Sequence, residues 1–125
     1  MSLRALVIED DKVSLLLVSR MLEKRGWQVD AAGNGRAGMA LMADRRYDLV
    51  VTDIFMPDQE GLETISQIRR TYPGLRILAM SAGGARPEFD YLAIARSIGA
   101  TATIRKPFTP SALLAQVDQI MAVPS

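Results

Sequence analysis

No histidine and no cysteine occur anywhere in the 125 residues. The first absence removes Ser-His-Asp catalysis, the usual imidazole metal sites and any internal phosphohistidine. The second removes disulfides, thiolate nucleophiles and Cys-zinc sites. A surplus of one charge is also lacking. Fifteen basic residues against 14 acidic ones leave a formal +1, which gives no electrostatic argument for nucleic acid or an anionic membrane. Long apolar runs are missing too. The opening MSLRALVIEDD is too short for a signal peptide or a membrane span, and Glu9 ends its apolar run. A soluble cytoplasmic protein is expected. Repeats, low-complexity segments and linkers are absent, so residues 1–125 read as a single domain of common size.

Short apolar runs alternate with amphipathic stretches. Strands are expected at 3–8 (LRALVI), 27–32 (WQVDAA, the most polar), 48–53 (DLVVTD), 76–81 (RILAMS) and 100–105 (ATATIR). Helices are expected between and after them. Residues 12–25 place Val13, Leu16, Leu17, Met21 and Leu22 at helical spacing, and Gly26 stops that helix. Residues 35–46 carry Ala37, Met39, Ala40 and Met42, and residues 59–71 carry Leu62, Ile65 and Ile68. Two more helices follow at 88–98 and 109–121, with Pro110 in the first turn of the last. Five βα units argue for a parallel sheet covered on both faces, with ligands at the carboxyl ends of its strands.

Those ends carry chemistry. Glu9 and Asp10 close the first strand, Asp53 the third, Ser81 the fourth and Lys106 the fifth, while Ala31 and Ala32 offer nothing at the second. Two carboxylates about 4 Å apart repel by roughly 4 kcal/mol at an effective dielectric near 20. Three together would consume a large share of a stability of about 5–15 kcal/mol. One must stay protonated or a cation must sit among them, and Lys106 offsets only part of the charge. Hard oxygen ligands with open positions suit Mg²⁺. A carboxylate beside Mg²⁺ and a lysine is a good phosphoryl acceptor, because both neutralise charge on the incoming group. Each residue alone has a plainer reading as a cap, a loop hydroxyl or a solvated charge. Asp11 keeps that reading, as the cap of the helix at Lys12. The joint placement is what resists it.

The blocks LVIEDD, DLVVTDIFMPDQEG, ILAMSA and GATATIRKPF resemble the signature of the response regulator receiver domain, over nearly the whole chain from Leu3 to about Met121. The most specific parts are Asp53, Met56, Pro57 and Gly61 in D-x-x-M-P-x-x-x-G, and the K-P-F ending. The resemblance implies a flavodoxin-like (βα)5 doubly wound sandwich, an α/β fold whose five-stranded parallel sheet has the order 2-1-3-4-5. It implies that Asp53 is the phosphoacceptor. Glu9, Asp10, Asp53 and the backbone carbonyl of Phe55 would hold Mg²⁺. Lys106, in a cis bond to Pro107, would pair with the phosphoryl group, and Ser81 would swing to it. The donor would be a phosphohistidine on a sensor histidine kinase or a histidine phosphotransfer protein, and the output would be protein contact rather than direct nucleic-acid or membrane binding. Homodimerisation through the fourth and fifth helices is left open by the residues. The chain is read as a stand-alone domain that catalyses only its own phosphorylation and dephosphorylation. Two departures stand out. The place three residues before the lysine, usually Tyr or Phe, is the switch position Thr103. The segment GGARPEFDY, with Gly83, Gly84, Phe89 and Tyr91, reads as an extended loop before the fourth helix.

Two rivals compete. GNGRAG, Gly33–Gly38, fits the dinucleotide pattern G-x-G-x-x-G, with Asp53 at the spacing of the ribose acid. That reading leaves Glu9, Asp10, Ser81 and Lys106 idle. Gly33 and Gly35 read better as a turn, and Gly38 as a close helix–sheet contact. The second rival is a haloacid-dehalogenase-type phosphatase or phosphotransferase with an aspartyl-phosphate intermediate. It needs a second Asp two residues after the nucleophile, where this chain has Phe55.

Overall fold

The computed structural model describes residues 2–55, 61–81 and 91–122. Strands β1 (Arg4–Ile8), β2 (Gln28–Ala32), β3 (Leu49–Asp53), β4 (Arg76–Ser81) and β5 (Ala102–Arg105) form one parallel sheet of order β2-β1-β3-β4-β5. Helices α1 (Lys12–Lys24), α2 (Gly35–Asp44), α3 (Gly61–Thr71), α4 (Tyr91–Ile98) and α5 (Pro110–Ala122) connect and follow them. The flavodoxin-like expectation holds.

The central strands are apolar at consecutive positions because both their faces are covered. In β1, Leu6 and Ile8 enter one core with Ile65 and Ile68 of α3 and Leu92 and Ala95 of α4. Ala5 and Val7 enter the other, with Val18 and Leu22 of α1 and Leu113 and Val117 of α5. Strand β2 lies at an edge, which accounts for its polar sequence. The chain steps from β1 outward to β2, then crosses back to β3. The connections after β1 and β3 therefore diverge, and a crevice opens at their carboxyl ends.

Helix ends follow local chemistry. Asp11 accepts from the Ser14 amide at 3.0 Å, as its capping role requires. After α1, the Gly26 amide bonds to Glu23 O and the Trp27 amide to Leu22 O. That reciprocal closure needs a left-handed residue, and Gly26 supplies it at φ +98°. Asn34 caps α2 through the Ala37 amide at 2.8 Å, and Thr109 caps α5 through the Ala112 amide at 3.1 Å.

The apolar stripe Val13, Leu16, Leu17, Met21 and Leu22 divides in the fold: Leu22 is buried and Met21 packs against the core, whereas Val13, Leu16 and Leu17 are 66%, 54% and 52% exposed. Val18 and Leu22 are the buried ones. The run from Val13 to Val18 is too wide for one helical face, so packing chose among competing stripes. Tyr91 also moves: it is the first residue of α4 rather than part of a loop. Met56, Pro57 and residues 82–90, with Gly83, Gly84 and Phe89, lie outside the described residues. Among the described residues no helix is long and apolar enough to cross a membrane.

GNGRAG resolves into packing. A Cβ on Gly38 would stand 2.5 Å from Ile8 Cδ1, and one on Gly35 would stand 2.2 Å from Thr64 Oγ1. Both glycines let α2 approach its neighbours closely, and Asn34 between Gly33 and Gly35 is the cap.

Candidate functional site

Sheet register assembles the site. Ile8 pairs with Thr52, so Glu9 and Asp53 follow side by side on adjacent strands. The Glu9 amide extends the pairing with β2 by one bond, to Ala32 O at 3.0 Å. On the far side, Ser81 pairs with Arg105, and the Lys106 amide then donates to Ser81 O at 2.6 Å. From there the Lys106 side chain reaches back over β4. Its Nζ lies 2.7 Å from Glu9 Oε1 and 3.3 Å from Asp53 Oδ2. The Lys106–Pro107 bond is cis, as expected.

Glu9 and Asp53 are buried, at 1% and 6% exposure, whereas Asp10 is exposed. Glu9, Asp10 and Asp53 each offer an oxygen, and the three oxygens lie within 4.8 Å of one another. Ser81 is buried at the end of β4, one residue beyond the partner of Asp53. Phe55 donates its amide to Asp53 Oδ1 at 3.1 Å. Thr103 is half-buried on β5, opposite Ala79, a strand away from the carboxylates. The structure thus brings Glu9, Asp10, Asp53 and Lys106 together, places Ser81 beside them, and leaves Thr103 apart.

The electrostatics are uneven. Burial is the main force raising Glu9, a hydrogen bond with Asp53 adds to it, and Lys106 only partly opposes them; the result is about 8. Burial pulls Lys106 down, but the bonds and charges of Glu9 and Asp53 outweigh it and hold the ammonium above its ordinary range. Among the described residues, Glu9 Oε2 is buried without a hydrogen-bond partner. A proton or a cation would satisfy that oxygen, and an all-oxygen donor set with an exposed third carboxylate fits a small hard divalent ion. Which groups could hold it follows directly: Glu9, Asp10 and Asp53.

A pH dependence follows, with its sign set by Glu9. Below about pH 4.5 Glu9 is protonated both folded and unfolded, and the full stabilisation is present. Between about 4.5 and about 8 only the folded chain keeps the proton, so stability falls as pH rises and this contribution is gone above about 8. Thermal melts without divalent ions should therefore lose several degrees as pH rises through this window. Mg²⁺ should restore more at the alkaline end than at the acid end, and Glu9→Gln should flatten the dependence. A flat melting profile in the unmodified protein would contradict the assignment.

Two features escaped sequence reading. The outward stripe of α1 borders an apolar groove of about 400 Å³ lined by Ser14, Leu17, Val18, Met21, Lys106, Pro107 and Phe108. The excess width of the apolar run in α1 was a usable sign of it. The Phe55 ring meets the Tyr91 ring edge-on, with centroids 4.8 Å apart and planes at 75°. No spacing rule links positions so far apart in the chain.

Comparison with known proteins agrees with this geometry. Residues 5–118 match the family model described as the response regulator receiver domain. The response regulator MprA of Mycolicibacterium vanbaalenii is 34% identical over 121 residues, covering 97% of this chain and 51% of that protein. This chain therefore spans about half the length of that relative. A CheY-like receiver domain protein from Methanospirillum hungatei superposes with a TM-score of 0.88 at 28% identity, covering 98% of this chain and 95% of the other. The chemotaxis protein CheY4 of Vibrio cholerae does so with 0.87 at 27% identity, covering 96% and 99%.

Proposed function

The chain belongs to the response regulator receiver family, and we propose that it is a phosphoacceptor switch in which Asp53 takes a phosphoryl group from a partner's phosphohistidine. The donor is a sensor histidine kinase or a histidine phosphotransfer protein. One observation carries the reading: Lys106 Nζ bridges Glu9 and Asp53, two carboxylates buried side by side at the carboxyl edge of the sheet. The residues work on the phosphoryl group in the order of their distances. An Asp53 oxygen bonds to phosphorus as the phosphorus–nitrogen bond breaks, and its electron pair returns to the donor imidazole. The Lys106 ammonium, already 3.3 Å from Asp53 Oδ2, shifts onto a phosphoryl oxygen. Ser81 turns its hydroxyl toward another. Held by Glu9, Asp10, Asp53 and the Phe55 carbonyl, Mg²⁺ would neutralise charge on the phosphoryl oxygens. Reversal by water returns inorganic phosphate and the free carboxylate. The domain turns over no other substrate, and residues 1–125 act as one unit in the cytoplasm.

A protein donor is supported by the surface beside the site. Leu17 is exposed and lines a groove that Lys106 itself helps to line. A partner seated on this apolar strip would present its imidazole at the acceptor edge. Leu17→Glu should slow transfer from a purified autophosphorylated histidine kinase by about tenfold or more, as for the loss of an apolar anchor. Labelling by acetyl phosphate, which needs no docking, should stay unchanged. Equal slowing with both donors would remove the docking role.

The reading itself is tested by incubating the protein with acetyl phosphate. One phosphoryl group per chain, labile to hydroxylamine and dependent on a divalent ion, is the expected result. No incorporation with Mg²⁺ present would end it.

A further inference from the structure

Phosphorylation of a carboxylate is a signal only if a surface elsewhere responds. The aromatic side chain that could carry such a response from β5 is absent, since Thr103 occupies its place. Another aromatic path exists. The Phe55 amide holds Asp53 Oδ1, and the ring of the same residue, 40% exposed, abuts the ring of Tyr91. Tyr91 opens α4. The other end of α4 is already tied down. Arg69 donates twice to Gly99 O, at 3.0 and 2.7 Å, and once to Pro73 O at 2.7 Å. The Ala100 amide closes back on Ala95 O at 2.9 Å. The helix has eight residues and is about 12 Å long, and Tyr91 stands at the end opposite to these bonds. In this protein the Phe55–Tyr91 contact meets that end.

We propose that Tyr91 is a positioning residue, and that the Phe55–Tyr91 ring pair couples the Asp53 carboxylate to α4 in place of the aromatic missing at position 103. This rests on Asp53 being the acceptor. When an Asp53 oxygen becomes part of a phosphoryl ester, the Phe55 amide loses or changes its acceptor, the Phe55 backbone shifts, and the ring contact must be remade. The two arrangements then differ at the start of α4. By linkage, a partner that binds one arrangement of α4 favours the matching state of Asp53. The contact is made by ring edges and faces, so the Tyr91 hydroxyl is dispensable to it.

The test uses beryllofluoride with Mg²⁺ as a phosphoryl mimic and reads amide hydrogen exchange along α4. The unmodified protein should show a change in α4 protection of about twofold to tenfold on adding the mimic, the range an aromatic pair can transmit. Tyr91→Ala and Phe55→Ala should each lose that change, the double variant should lose no more than either single one, and Tyr91→Phe should keep it. Melting temperatures of the metal-free variants report whether each still folds. An α4 response that survives Tyr91→Ala, or losses in the two single variants that simply add, would overturn the proposal. Label from acetyl phosphate separates the two levels of the argument. If the unmodified protein takes label at Asp53 while α4 stays silent, this coupling fails alone; if Asp53 takes no label, the acceptor reading fails with it.

Discussion

Asp53→Asn should take up no phosphoryl group from acetyl phosphate, a loss on the order of a thousandfold or more, as expected when a nucleophile is removed. The amide keeps the shape of the carboxylate but has no anionic oxygen to form the ester. The same substitution should not harm the fold. Asp53 is 6% exposed, and its charge faces buried Glu9 across the crevice. Its hydrogen bond and charge are among the causes that hold Glu9 near 8, so their removal should return Glu9 toward its ordinary range. Metal-free Asp53→Asn should therefore melt at or above the temperature of the unmodified protein at alkaline pH, while being inert to acetyl phosphate. The opposite pairing, a destabilised protein that still takes label, would place the acceptor elsewhere.

Gly61→Ala should cost about 3 kcal/mol or more, enough to lower the melting temperature by roughly ten degrees. A Cβ on Gly61 would stand 2.2 Å from Ile54 Cα, 2.3 Å from Asp53 O and 2.6 Å from Ile54 C. All three are backbone atoms at the end of β3, so no flexible side chain can yield. The Gly61 amide also bonds to Ile54 O at 3.2 Å, and that contact would have to open. The start of α3 would be pushed off β3, and labelling by acetyl phosphate should fall with stability. Gly33→Ala and Gly74→Ala provide the contrast. Among the described residues, beyond its own chain neighbours, neither glycine has an atom within 4 Å of the added carbon, and neither has a positive φ. Both should change melting by little, and chemical denaturation of the three variants side by side would decide. A Gly61→Ala protein as stable as Gly74→Ala would show that α3 docks more loosely than these distances state.

The pairing of local pattern with strand position explains why so much of the site was readable. Glu9, Asp53, Ser81 and Lys106 each follow an apolar run, and parallel strands carry such residues to one edge of a sheet whatever the details of packing. Capping was readable for the same reason. Asp11 acts on Ser14 only three residues away. Which stripe of α1 faces outward was not readable. Val13, Leu16 and Leu17 are as apolar as Val18 and Leu22, and periodicity alone cannot say which stripe meets α5 and the sheet. The GNGRAG pattern shows the same limit from the other side. Its glycines fit a nucleotide fingerprint in one dimension; Gly38 was readable as a close helix–sheet contact, but that Gly35 packs against Thr64 was not.

By itself, the order of residues determined an alternating α/β sheet, the edge where its chemistry gathers and the acidic, hydroxyl and ammonium groups found there. These depend on period, sign of charge and chain order, all of them local properties. Folding alone decided that Lys106 spans β4 to reach Glu9 and Asp53, that Gly61 lies against the backbone of Asp53 and Ile54, that α1 turns an apolar face to solvent, and that Phe55 meets Tyr91. Each of these is a contact between residues whose approach is set by how layers pack. No interval along the chain encodes that approach.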